Sequence, residues 1–168
     1  SIEFTKSSFD RLILTGGGDI NPATYGEQLN SKTERISDRR DQTELNLLKL
    51  AEKNSIRTLA ICRGHQMLNV YKGGTLHQHI PDSFETDIEH LQINEAASQH
   101  IHNISILEQT MLSNITTNNN VGVNSIHHQV INRVGENLKV NAISEDNLVA
   151  VSYTHLRAHE TKANLVCR

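Results

Sequence analysis

The hydrophobic and polar positions divide this chain into two unlike halves. In residues 11–15 the run Leu12-Ile13-Leu14 is short and apolar, reads as a buried strand, and ends in Gly16-Gly17-Gly18-Asp19. Over residues 38–54 the period lengthens: Leu45, Leu48 and Ala51 share one helical face, and Leu47 and Leu50 widen it. Asp41, with Glu44 three residues on, resembles a capping pair for the start of that helix, and Asn54 is a fitting stop. Residues 56–61 return to a short β-compatible run, and residues 65–72 are rich in helix formers up to Gly73-Gly74. Strand, loop, helix, strand is a βαβ unit, which requires a right-handed crossover and a parallel sheet.

Beyond Gly74 the helical period fades. Residues 101–107, 121–126, 138–143 and 148–153 each read as short strands, separated by turn-rich segments such as Asn118-Asn119-Asn120 and Gly135-Glu136-Asn137. A β-rich second half that covers or extends the parallel sheet is therefore expected. There is no internal repeat.

Composition narrows the reading. The chain's 168 residues favour one α/β domain. With 4% aromatic residues and no tryptophan, its core must be built from Leu, Ile, Val and Ala. A net charge of -3 with scattered Lys and Arg leaves no basic footprint for nucleic acid. No run approaches the ~20 apolar residues of a membrane span, and the start lacks a signal-peptide pattern, so a cytoplasmic protein is expected. The chain begins without methionine and enters a strand almost at once, which reads as a fragment and weakens the argument from a missing signal. Nothing in the spacing of Cys62 and Cys167 suggests a secreted disulfide framework.

The most informative residue is Cys62, at the seam between the strand at 56–61 and the helix that follows. A nucleophile in a tight strand-to-helix turn needs small residues two before and two after it, and Ala60 and Gly64 stand there. Backbone N–H groups at a helix N-terminus favour anions and can lower a thiol pKa from ~8.5 to about 3.5–7.5. The Arg63 N–H faces the space where an oxyanion would develop. The triglycine loop lacks the ending of a P-loop and the last glycine of the dinucleotide pattern, so it fits a second oxyanion donor better than a phosphate cradle. Ten histidines raise the question of metal, but none carries the acid-containing helix signature of a zinc hydrolase. His127 and His128 read as polar groups of a pocket or as solvated loop residues.

Several motifs then occur in order: residues 16–22 (Gly-Gly-Gly-Asp-Ile-Asn-Pro) with Tyr25-Gly26, Arg40-Asp41 with Glu44, Cys62-Arg63-Gly64-His65-Gln66, Gly73-Gly74-Thr75-Leu76, and residues 123–129 (Val-Asn-Ser-Ile-His-His-Gln). Over residues 9–151 they resemble the class I glutamine amidotransferase-like hydrolases, specifically the γ-glutamyl-γ-aminobutyrate hydrolase group of peptidase family C26. The resemblance implies a flavodoxin-like α/β fold with a central, mostly parallel sheet and a β-rich second half, here incomplete at both ends. It implies a cysteine amidase that cleaves a γ-glutamyl amide through a thioester, with Cys62 as nucleophile. Arg63 and a glycine of the loop, Gly17 or Gly18, would form the oxyanion hole. Gln66 would lie at the pocket edge, and Ser125, His127 and His128 would line the substrate side. The expected partner is a small-molecule γ-glutamyl substrate, with a homodimer left open; no cofactor, metal, nucleic acid or membrane is expected.

One departure bears on activity. The family places a His-Pro-Glu on a strand shortly after the segment matching residues 148–151, as base and orienting carboxylate, and this sequence has none. His159-Glu160 lacks the proline, the preceding strand and the offset. Residues 152–168 resemble translated adapter read-through and are read as a tail outside the family domain of residues 1–151. Without a base, a cysteine amidase is expected to lose a factor of ~10⁴ or more in rate. A glutaminase domain feeding ammonia to a synthetase, and a silent module that binds γ-glutamyl ligands, are the alternatives.

Overall fold

The computed structural model describes residues 9–92, 99–154 and the backbone of 166–167. Strand β1 (Arg11–Leu14) and strand β2 (Arg57–Ile61) pair in parallel, Leu14 opposite Ala60. Helix α1 (Asp38–Lys53) connects them. This is the βαβ unit expected from the pattern. Helix α2 (Arg63–Tyr71) starts one residue after β2. A further strand, β9 (Val166–Cys167), pairs in parallel with the other edge of β2, opposite Ala60 and Ile61. Leu12, Leu14, Leu48, Ala51, Met67 and Leu68 form the core beneath this sheet.

Two expectations change here. Strand β1 is not buried on both faces: Leu12 and Leu14 are in the core, but Ile13 is 60% exposed. Side chains alternate across a strand, and only the face carrying the two leucines is covered. The cap of α1 is not the Asp41–Glu44 pair. Ser37 is the N-cap, its Oγ accepting from the Arg40 N–H at 3.4 Å, while Asp41 and Glu44 turn inward and are buried. An i, i+3 spacing brings two carboxylates to one helix face as readily as it makes a cap, and a buried cation claims them.

The second half is β-rich, as expected, but it forms its own sheet instead of extending the parallel one. Strands β4 (His102–Ile106), β5 (Asn120–Val123), β7 (Leu138–Ser144) and β8 (Val149–Thr154) pair antiparallel in the order β5-β4-β7-β8. Ile104, Ile106, Ala142, Ala150 and Val151 give it a separate core. Between the sheets lie the short pair β3 (Leu76–His77) and β6 (Val130–Ile131) and the single-turn helix α3 (Ile80–Ser83). The strand expected over residues 121–126 ends at Val123. Ser125 leaves the ladder to take a bond from its N–H to Gln92 Oε1 at 2.9 Å, and Ile126 bridges to Leu91.

Candidate active site

Cys62 sits at φ 51°, ψ −113° between the last residue of β2 and the first of α2. A residue with a side chain in that region costs about 1–3 kcal/mol and persists only where the surroundings dictate it. They do so here. The Cys62 carbonyl accepts from the N–H groups of His65 at 2.9 Å and Gln66 at 3.2 Å, closing the first turn of α2. The N–H groups of Arg63 and Gly64 precede that turn and have no intrahelical partner by the geometry of a helix start. Gly64 has no room for a side chain: an added Cβ would lie 2.5 Å from the Leu14 carbonyl oxygen and 2.6 Å from Leu14 Cβ. Gly64→Ala is therefore expected to cost about 1–3 kcal/mol in a urea titration by forcing α2 off β1.

The triglycine loop abuts the thiol. A Cβ on Gly16 would stand 3.7 Å from Cys62 Cβ and 3.8 Å from Cys62 Sγ. Gly17 lies instead against the Arg40 guanidinium and Gly18 against the Arg35 backbone, where added Cβ atoms would come within 2.0 and 2.4 Å. Of the three glycines, Gly16 is the one packed on Cys62. Arg40 pins the loop: its Nη2 donates to the Thr15 carbonyl at 3.1 Å and to the Gly16 carbonyl at 3.0 Å, and its Nε donates to Glu44 at 2.8 Å.

Glu44 joins loop and elbow, because it also accepts from Arg63. The Arg63 side chain is 2% exposed and pairs through its other nitrogen with Asp41. Asp41 in turn accepts from the Asn21 N–H at 2.9 Å. Burial pushes the Asp41 carboxyl up, and the Asn21 N–H and Arg63 only partly offset it. One network thus braces α1, the loop and the first turn of α2. Residue types alone would not reveal it, although two acids and an arginine within five positions on a core-facing helix are a signal that something charged is buried beneath.

A cavity of about 30 Å³ opens beside Cys62, lined also by His65, Gln66, His90, His127 and Gln129. Gln66 Nε2 donates to the Gln129 carbonyl at 3.1 Å, and His127 Nδ1 lies 3.0 Å from the same oxygen. Of the side chains named from sequence, Cys62, Gln66 and His127 therefore meet here. Ser125 and His128 do not line this cavity. Ser125 is buried behind it, its Oγ 2.7 Å from His102 Nε2, and His128 turns to Asp19, 3.1 Å from both carboxylate oxygens. His155, His159 and Glu160 lie outside the described residues.

A family model for peptidase C26 matches residues 2–160. The chain belongs to the peptidase C26 family. It is 39% identical over 140 residues to a Lactococcus lactis protein named glutamine amidotransferase-like YvdE, covering 83% of this chain and 58% of that one. It is 32% identical over 154 residues to the γ-glutamyl-γ-aminobutyrate hydrolase PuuD of Escherichia coli, covering 88% of this chain and 59% of that protein. Among solved structures, a Thermotoga maritima glutamine amidotransferase superposes with a TM-score of 0.54 at 12% identity, over 92% of this chain and 55% of that one. That likeness shows the class I glutamine amidotransferase fold. The C26 chain spans under two thirds of the length of these relatives. Among its described residues, no helix is long and apolar enough to cross a membrane.

Two histidines of this C26 chain have opposite electrostatics. His65 is buried, its Nε2 2.7 Å from Ser152 Oγ, and burial lowers its pKa to about 4. His128 is raised above 6.5, chiefly by its bond to Asp19. The signs differ accordingly. His65 withdraws stability as pH falls from its unfolded value near 6.5 toward about 4, because the unfolded chain binds the proton first. The His128–Asp19 pair contributes stability fully below pH 6.5 and loses it as pH rises through the raised value. Proton NMR of the imidazoles should show His65 untitrated at pH 5.5 and His128 with a midpoint above 6.5, which Asp19→Asn should lower.

Sequence reasoning passed over His90 and Asp146. His90 Nε2 lies 2.7 Å from Asp146 Oδ2, and the ring stands between those of His102 and His127, at 5.0 and 5.4 Å. The partners are 56 positions apart in the chain, so no local motif marks them.

Proposed function

We propose that this chain carries the nucleophilic machinery of a cysteine amidase acting on γ-glutamyl amides, γ-glutamyl-γ-aminobutyrate or a related γ-glutamyl amine. The observation that supports it best is Cys62 at positive φ at the mouth of α2, with the triglycine loop packed on its thiol. In this reading the Cys62 thiolate attacks the γ-carbonyl, and the oxyanion accepts from the Arg63 N–H and a loop N–H. The C–N bond breaks, the departing amine takes up a proton, and a γ-glutamyl thioester remains. Water then cleaves the thioester, releasing glutamate and restoring the thiol.

The γ-aminobutyrate substrate is favoured by the E. coli relatives named for it, and glutamine by relatives named glutamine amidotransferase-like at higher identity. The sequence contains no His-Pro-Glu, so slow turnover is expected of the chain as it stands. The test is intact-mass spectrometry after incubation with γ-glutamyl-γ-aminobutyrate or glutamine. A glutamyl adduct on Cys62, absent in Cys62→Ala, supports the reading. Unmodified thiol with both substrates, under conditions where iodoacetamide labels Cys62, overturns it.

A further inference from the structure

Arg40 and the thiol stand on opposite sides of the triglycine loop. A Cβ on Gly16 would face Cys62, 3.8 Å from Sγ, whereas a Cβ on Gly17 would fall 2.0 Å from Arg40 Nη1, so the loop runs between nucleophile and guanidinium. One guanidinium nitrogen, Nη2, donates to two consecutive carbonyls, Thr15 at 3.1 Å and Gly16 at 3.0 Å. Among the described residues every peptide is trans, and in a trans peptide the N–H points opposite to the C=O of its own plane. Holding the Thr15 and Gly16 carbonyls therefore turns the N–H groups of Gly16 and Gly17 away from Arg40, to the side where Cys62 stands. Successive N–H groups turned to one side make a concave site for an anion.

A run of three glycines has little conformational preference of its own, so the direction of those N–H groups must be imposed from outside. The guanidinium that imposes it is itself fixed, because Arg40 Nε donates to Glu44 Oε1 at 2.8 Å. The other oxygen of Glu44 accepts from Arg63, whose backbone N–H is the elbow's donor. One carboxylate thus carries both arms of the oxyanion site. We infer that Arg40 is a positioning residue for acyl transfer at Cys62: it holds the Thr15 and Gly16 carbonyls and thereby presents the Gly16 and Gly17 N–H groups to the oxyanion. In this assignment Gly17 stays a donor, and Gly16 takes the place of Gly18, which packs on the Arg35 backbone. The inference rests on the reading of Cys62 as an acyl-accepting nucleophile and deepens it, whatever the acyl group.

The experiment compares two reactions of Cys62 in the full chain. With p-nitrophenyl acetate the thiolate attacks the carbonyl carbon and the carbonyl oxygen becomes the oxyanion. The C–O bond to the aryl group then breaks, p-nitrophenolate departs and an acetyl thioester remains. With iodoacetamide the thiolate displaces iodide and no oxyanion forms. Both rates scale with the thiolate fraction, so the ratio of acetylation to alkylation, corrected with Cys62→Ala, reports the oxyanion site alone. The wild-type ratio is expected to exceed that of N-acetylcysteine by about 10²-fold, and Arg40→Met to remove most of that excess while alkylation stays within about 2-fold. Arg40→Lys, which keeps a cationic donor but loses the fork, should lie about 10-fold below wild type. Arg39→Met, at an exposed neighbour on α1, should leave the ratio unchanged. If a urea titration shows that Arg40→Met does not fold, the Arg40→Lys ratio decides by the same measure. A raised wild-type ratio that the folded Arg40 variants leave unchanged, or a fall of both rates together, overturns the inference and spares the nucleophile. A wild-type ratio equal to that of the free thiol overturns both. A raised, Arg40-dependent ratio with no glutamyl adduct from either γ-glutamyl substrate supports the inference and sinks the γ-glutamyl reading.

Discussion

Arg63→Met is expected to lower the unfolding free energy by about 3–5 kcal/mol, the largest stability loss of any single substitution considered. Arg63 is 2% exposed, and the side chains it pairs with, Asp41 and Glu44, are 5% and 8% exposed. Removing the cation leaves two carboxylates within the core of the molecule, and only Glu44 keeps another cation, Arg40 at 2.8 Å. Asp41 then keeps the Asn21 N–H, and its carboxyl, already raised by burial, must rise further. The sign of the pH dependence follows. A carboxyl whose folded pKa lies above its unfolded value of 3.8 withdraws stability as pH rises through the raised value. The deficit of Arg63→Met should therefore be small near pH 4 and largest at neutral pH. Urea titrations at the two pH values measure it. The triple variant Arg63→Met, Asp41→Asn, Glu44→Gln should regain most of the loss, because neutral replacement of a whole buried ion cluster is often close to neutral. A uniform deficit across pH, or no recovery in the triple variant, would show that Arg63 acts through packing alone.

That cluster marks how far the sequence could be read. The elbow was legible because its requirements are local: a β-compatible run, a cysteine, a helix, and small residues at 60 and 64, the latter explained by the contact of Gly64 with Leu14 and the burial of Ala60. The βαβ unit was legible for the same reason, from periodicity. What could not be read was every relation between distant segments. Asp41 and Glu44 have the spacing of a capping pair, and only the arrival of Arg63 from 19 and 22 positions away makes them an ion cluster. Likewise nothing near His90 announces Asp146, and nothing near Ser125 says that its hydroxyl turns to His102 instead of the cavity. Whether the β-rich half extends the parallel sheet or pairs as a sheet of its own stayed open on the same ground: alternation tells which residues share a face, not which strand lies alongside.

The second large effect concerns Cys62 itself, where stability and chemistry should move in opposite directions. Cys62→Ala removes the thiol and keeps a side chain at φ 51°, whereas Cys62→Gly removes both thiol and strain. Either variant should abolish the glutamyl adduct and lower any amidase turnover by ~10⁴ or more, the loss typical of a deleted nucleophile. Their stabilities should differ. Relief of strain is worth about 1–3 kcal/mol, and the extra freedom of glycine in the unfolded chain takes back about 0.4–1, so Cys62→Gly should be more stable than Cys62→Ala by roughly 0.5–2 kcal/mol. That order is unusual, because glycine at an ordinary position destabilises relative to alanine. Chemical denaturation of the two variants settles it, since both lack the sulfur and differ only in the Cβ. If alanine is the more stable of the two, the backbone at Cys62 stores no strain, and the positive φ is a plain consequence of how α2 begins. If glycine is the more stable, the fold holds a cysteine where its backbone alone would prefer none. The bracing of Arg63 by α1 and of the loop by Arg40 is then what keeps the thiol presented to the cavity against that preference.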